Sequence, residues 1–172
     1  MKKEALTVAQ ALRFARHDFL NQLQVVLMHI DLGKITESKQ AILKVSEEFK
    51  QLSILEKLGL PETVLWISTF GWHYTAFETR LSCEIESGHR SVDDLEVVTY
   101  LNRLFKKVTE NLDELTEYEA TIKVFAFSSN WSIEFTVSGT LDGKPKLPEA
   151  GKGFLVEESS TENLWIFKIS GN

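Results

Sequence analysis

The chain is short of the residues that would support several kinds of chemistry. Its one cysteine, Cys83, has no partner for an intramolecular disulfide, and a thiolate zinc site would lack its ligands. A reducing cytoplasm is the expected compartment. No apolar run reaches the roughly 18 uninterrupted residues of a membrane-spanning helix. The opening MKKEALTVAQALRFARHDF meets polar and charged residues before an apolar signal core develops, so no signal peptide is expected. A concentrated basic patch is also lacking. Residues 1–58 balance to +2 and residues 59–172 to −8, which excludes the strongly basic surface of a nucleic-acid binder and suits an acidic protein partner at the N-terminal end.

What is present is a soluble globular composition, 43% apolar and 26% charged over 172 residues. Val8, Leu12, Ala15, Phe19, Leu23, Val26 and Ile30 recur at helical steps. At about 100° per residue they fall in a sector about 80° wide, the width of a bundle seam. Asp31, Gly33 and Lys34 break the pattern. Thr36 or Ser38 is expected to cap a second helix carrying Ala41, Ile42, Val45, Phe49, Leu52, Leu55 and Leu58. Two helices enclose little core, so the hairpin is expected to dimerise into a four-helix bundle.

Gly59 and Pro61 mark a boundary, giving domains 1–58 and 61–172. In the second, the sequence predicts a helix over Glu62–Arg80 and a strand over Leu81–Ser87. A helix capped by Ser91 is predicted over Asp93 to about Leu115, burying Leu95, Val98, Leu101, Leu104, Phe105 and Val108. Strands are expected over Glu119–Phe127, Trp131–Ser138 and Leu164–Ile169, the first two joined by a turn at Ser128–Asn130, and the stretch Gly139–Gly153 is expected to be a loop. The fold class is therefore α+β. Trp66, Phe70, Trp72, Tyr74 and Phe77 read as core, and Glu110, Asp113, Glu114, Glu117 and Glu119 as a solvated acidic face.

The candidate for chemistry is His17, roughly 150° around the first helix from the centre of the apolar stripe and so facing water. Arg13, Phe14, Leu20 and Asn21 share its face one turn before and after, with Gln10, Gln24 and Met28 beyond. A neutral imidazole is nucleophilic at neutral pH and can attack an acyl phosphate directly. Asp18 could hold the proton of the other ring nitrogen, while Arg13 and Arg16 offset phosphoryl charge. His29 and His73 read as partly buried structural residues and His89 as a loop residue. No histidine pair has close metal-ligand spacing with a carboxylate, so no intrinsic metal is expected.

RHDFLNQLQVV, spanning Arg16 to Val26, resembles the H-box of two-component histidine kinases. Together with the short loop, the second helix and TFGWHYTAFETRLSCEIES, it resembles the sporulation initiation phosphotransferase B family over nearly the whole chain. The resemblance implies a cytoplasmic, dimeric four-helix bundle. His17 takes a phosphoryl group from one response regulator's aspartate and gives it to another, Asn21 positions groups around the phosphorylation face, and Asp18 is the base or orienting group. It also implies that the second domain is an α/β sandwich like a degenerate histidine-kinase ATP-binding domain. Lys106-Lys107 stand where the N-box amide belongs, with Asn102 and Asn111 out of register, and Asp142-Gly143-Lys144-Pro145 lacks a second glycine. No nucleotide cofactor is therefore expected, and Mg²⁺ would come with the partner receiver domain. The alternative readings are a non-catalytic module that sequesters response regulators and an autophosphorylating kinase.

Overall fold

The structure, a computed structural model, describes residues 7–113, 116–139, 145–161 and 164–172. It divides into two compact units, Met1–Lys50 and Gln51–Asn172.

The first unit is an antiparallel helical hairpin. Helix α1, Val8–Asp31, starts at a capping box: Gln10 N donates to Thr7 Oγ1 at 3.2 Å and Thr7 N donates to Gln10 Oε1 at 2.9 Å, satisfying two donors that the first turn would leave open. Gly33 turns the chain with φ +70°, a conformation that suits a residue without a Cβ. Helix α2 then runs Ile35–Leu55. Thr36 and Ser38 lie inside it rather than capping it, because the connection takes only Leu32 to Lys34. Ser38 is instead buried and its Oγ donates to the Val26 carbonyl at 3.4 Å, while Gln22 Nε2 donates to Glu48 Oε2 at 3.2 Å about mid-way along the hairpin. No residue of α1 is fully buried, and most of the stripe faces out, Val26 alone of it being half-buried: Val8 is 79% exposed, Leu12 65%, Phe19 46% and Leu23 43%.

The second unit begins inside the last turns of α2. Leu55 and Leu58 are wholly buried in its core, so these members of the second helix's apolar set serve the α+β unit. A 3-10 turn at Glu56–Leu58 ends at Gly59, whose φ of +80° and close approach to the Gly88 carbonyl both exclude a side chain. Arg90, 3% exposed, holds this junction: Nε donates to Leu58 O at 3.1 Å, Nη2 to Glu86 O at 2.9 Å, and Nη1 to Ser128 O.

Helices α3 (Pro61–Ser68) and α4 (Phe70–His73) follow, then strand β1 (Phe77–Ile85), helix α5 (Asp94–Thr109), β2 (Tyr118–Phe127), β3 (Asn130–Ser138), β4 (Phe154–Glu158) and β5 (Leu164–Gly171). The sheet order is β1-β2-β3-β5-β4, with β1 parallel to β2 and every other neighbour antiparallel. The parallel pair needs a crossover, which α5 supplies.

Alternation along β3 and β5 buries Ile133, Phe135, Val137, Trp165, Phe167 and Ile169 together with Val97, Tyr100, Leu101, Leu104, Phe105 and Val108 of α5. Phe105 is the hub, with ring centroids 4.9 Å from Phe70, 5.2 Å from Phe135 and 5.5 Å from Trp66. Asp94 at the start of α5 caps α3, accepting from Glu62 N at 2.6 Å, Thr63 N at 2.9 Å and Thr63 Oγ1 at 2.5 Å.

Several expectations need correction. The helix expected over Glu62–Arg80 stops at His73, and the strand after it begins at Phe77, drawn in by pairing with β2. The cap of α5 is Asp93, which accepts from Leu95 N, whereas Ser91 Oγ donates to Asn172 O; Leu95 is exposed and the helix ends at Thr109. Strand β4 falls just after a glycine-rich stretch read as loop. Glu114, Leu115 and Asp142 to Lys144 lie outside the described residues.

Candidate functional site

His17 sits at mid-length in α1 with its side chain 70% exposed. Both of its described side-chain contacts converge on one ring nitrogen. Nδ1 lies 3.1 Å from Asn21 Nδ2, one helical turn on, and 3.5 Å from Asp18 Oδ1. Nε2 therefore points away from the helix, toward solvent. The 3.6-residue repeat explains the first contact, since a side chain four positions later stands directly beside the ring.

Of the other residues expected here, Arg13, Leu20 and Gln24 follow His17's face at spacings of four, three and seven and are exposed. Phe14 is only half exposed, with the Arg13 guanidinium 5.6 Å from its ring centroid. Arg16 is exposed but stands about 100° around the helix from His17. Among the described residues neither Arg13 nor Arg16 is held in an ion pair, so both are available to an incoming anion. The whole group comes from one helix.

Among the described residues, no three His, Cys, Asp or Glu side chains are gathered to hold a metal ion, and no helix is long and apolar enough to cross a membrane. In the second unit the two asparagines of α5 and its end are already committed: Asn102 Oδ1 accepts from Trp66 Nε1 at 2.8 Å, and Asn111 Nδ2 donates to Lys107 O at 2.8 Å. Lys106 and Lys107 point outward beside Arg103. Burial raises three groups there, Cys83, Tyr74 and Tyr100, each to about 12, with the Glu158 carboxylate adding to the effect at Tyr100 and Arg103 opposing it. These are core residues, and His73 and His89 lie respectively half-buried and in a loop.

Residues 1–58 match the family model of the sensor kinase SpoOB-type, alpha-helical domain. No curated protein matches the chain. Among solved structures, the chain is similar to the Acinetobacter baumannii histidine kinase AdeS (13% identity, 96% of this chain and 98% of that one, TM-score 0.47). It is also similar to the catalytic domain of histidine kinase ThkA (13% identity, 69% and 90%, TM-score 0.43). The Erythrobacter litoralis blue-light activated histidine kinase EL346 matches at 13% identity over 99% of this chain and 61% of that one, with a TM-score of 0.37.

Proposed function

We propose that the protein is a phosphorelay phosphotransferase of a two-component system, in which His17 takes a phosphoryl group from the aspartate of one response regulator and passes it to the aspartate of a second. The observation that carries this reading is the presentation of His17 within a SpoOB-type helical domain: Nδ1 is engaged by its own helix while Nε2 faces solvent.

In the reaction, the Nε2 lone pair attacks the phosphorus of the acyl phosphate. An N–P bond forms, the P–O bond to the donor aspartate breaks, and that carboxylate leaves with the electron pair. The positive charge gained by the ring is relieved at Nδ1, beside Asp18. Arg13 lies on the approach face, and Mg²⁺ held by the receiver domain would screen the remaining charge. Phosphoimidazole and acyl phosphate are both high-energy, so the transfer runs in either direction.

The reading includes a homodimer. The exposed α1 stripe is the surface a second copy would cover, forming a four-helix bundle with one His17 per hairpin. Domains 1–58 and 61–172 would then divide the labour between phosphotransfer and a kinase-like fold that works without nucleotide, in the cytoplasm and in a sporulation relay.

The test is incubation with a phosphorylated receiver domain carrying labelled phosphate, and separately with labelled ATP. Label reaching His17 from the receiver and none from ATP is the expected result. Label from ATP alone would make the protein an autokinase, and tight receiver binding without label transfer would make it a sequestering module.

A further inference from the structure

Asn21 and Asp18 meet His17 at the same atom, and they ask opposite things of it. Asn21 Nδ2 is a donor, 3.1 Å from Nδ1, and hydrogen-bonds to it only if Nδ1 carries a lone pair. Asp18 is an acceptor, 3.5 Å from Nδ1, and attracts that nitrogen only when Nδ1 carries a proton. A neutral imidazole has one proton for two nitrogens, so the state of Nδ1 fixes the state of Nε2. With Asn21 donating, the proton resides on Nε2 and that nitrogen has no lone pair to attack with. With Asp18 accepting, Nε2 is the free nucleophile. The ring edge that faces solvent is switched by a contact on the edge that does not.

We propose that Asn21 and Asp18 oppose one another across the His17 tautomer equilibrium, Asn21 holding the resting ring with Nε2 protonated and Asp18 drawing it to the form that accepts phosphate. The proposal rests on the reading that His17 is the phosphoryl carrier. Only the Asn21 contact has hydrogen-bond geometry, whereas Asp18 stands at ion-pair distance, so the resting form dominates when no partner is bound. Both residues are positioning residues: neither touches the phosphorus, and each acts through Nδ1. Docking of a receiver that turns the Asn21 amide away, or presents its oxygen to Nδ1, would free the nucleophile at the moment it is needed.

The experiment is long-range proton–nitrogen correlation NMR on the full chain labelled with ¹⁵N-histidine, in alkaline buffer. His17→Gln assigns the resonance among the four histidines. In the wild-type protein His17 is expected mainly as the Nε2–H tautomer. Asn21→Ala should shift the ratio toward Nδ1–H by about two- to tenfold, the range that one exposed hydrogen bond covers. Asn21→Asp, nearly the same shape but with no donor, should shift it further, and Asp18→Ala should shift it the other way. Far-UV circular dichroism checks that each variant keeps its helices. A wild-type ring mainly Nδ1–H, or a ratio unmoved in both Asn21 variants, overturns the proposal. Failure of His17 to take label from any phosphorylated receiver would instead overturn the underlying reading, an outcome the NMR ratio does not depend on.

Discussion

The guanidinium of Arg90 donates to the main-chain oxygen of Leu58 at 3.1 Å, with Arg90 itself 3% exposed. Its other nitrogens reach the carbonyls of Glu86 and Ser128, so one side chain ties together the end of the 3-10 turn, the end of β1 and the β2–β3 turn. Removing it would leave three carbonyls short of a donor where water has poor access. Arg90→Ala is expected to destabilise the second unit by about 2–5 kcal/mol, the range for losing one partner of a buried charged network. Arg90→Lys should recover only part, because an ammonium cannot span three acceptors set in different directions. Chemical denaturation followed by tryptophan fluorescence measures both, since all four tryptophans lie in Gln51–Asn172.

The same junction bears on where the second unit starts. Leu55, Leu58 and Leu60 are buried in its core, so a fragment beginning at Pro61 loses three large aliphatic side chains. At about 1.5–3 kcal/mol each, that loss is comparable to the whole stability of a small domain. A fragment of residues 51–172 is expected to unfold cooperatively, and one of residues 61–172 to be molten or insoluble. Equal melting temperatures for the two would contradict this.

The candidate segment is legible in the sequence because its geometry is local. His17, Asp18 and Asn21 lie within five residues on one helix, where a 3.6-residue repeat sets who stands beside whom. The α+β class and three of the five strands were legible for a similar reason: alternation in β2, β3 and β5 is regular over eight to ten residues. What was hidden depends on distant partners. Phe77 to Arg80 have neighbours that suit a helix, and only β2 makes them strand. Phe154–Glu158 is five residues long and becomes a strand by pairing with β5. Arg90 and Asp94 gave no sign of their roles, because each binds main-chain atoms about 30 or more residues away.

Cys83 is expected to be unreactive in the folded protein. Burial raises its thiol from an ordinary 9.0 to about 12, so at pH 8 the thiolate fraction falls about a thousandfold below that of the unfolded chain. Reaction with a disulfide reagent should be slow in buffer and fast in denaturant. Stability carries the same signature. The neutral thiol and the neutral phenols of Tyr74 and Tyr100 are favoured by folding, so their contribution is complete below pH 9. It is lost as pH rises through about 12, because the unfolded chain ionises first. The denaturation midpoint should therefore decline between pH 9 and 11. A flat profile would mean that these groups are solvated.

His17→Ala is expected to abolish phosphoryl transfer and leave stability within about 0.5 kcal/mol, as for an exposed helix position that gains a better helix former. Label appearing on the variant from a phosphorylated receiver would place the carrier elsewhere.

The proposed dimer is tested at Leu23. Its side chain and those of Val8, Leu12, Phe19 and Ile30 are exposed on the single chain, and α1 buries no residue against α2. A monomer would thus keep several large apolar side chains in water, each forgoing about 1.5–3 kcal/mol of burial, and two helices could not offset that from their own contacts. Leu23→Glu puts a charge into the proposed seam, where it would have no partner. The expected outcome is loss of dimer by sedimentation together with loss of far-UV helical signal from the first unit. Near-UV circular dichroism and tryptophan emission should stay unchanged, because the second unit has its own core and holds every tryptophan. Asn21→Ala, about 160° around the helix from Leu23, should leave the dimer intact. If the wild-type chain sediments as a stable monomer at micromolar concentration, the four-helix bundle fails, and the partner surface around His17 would have to be rebuilt on a lone hairpin whose stripe is covered by something other than a second copy.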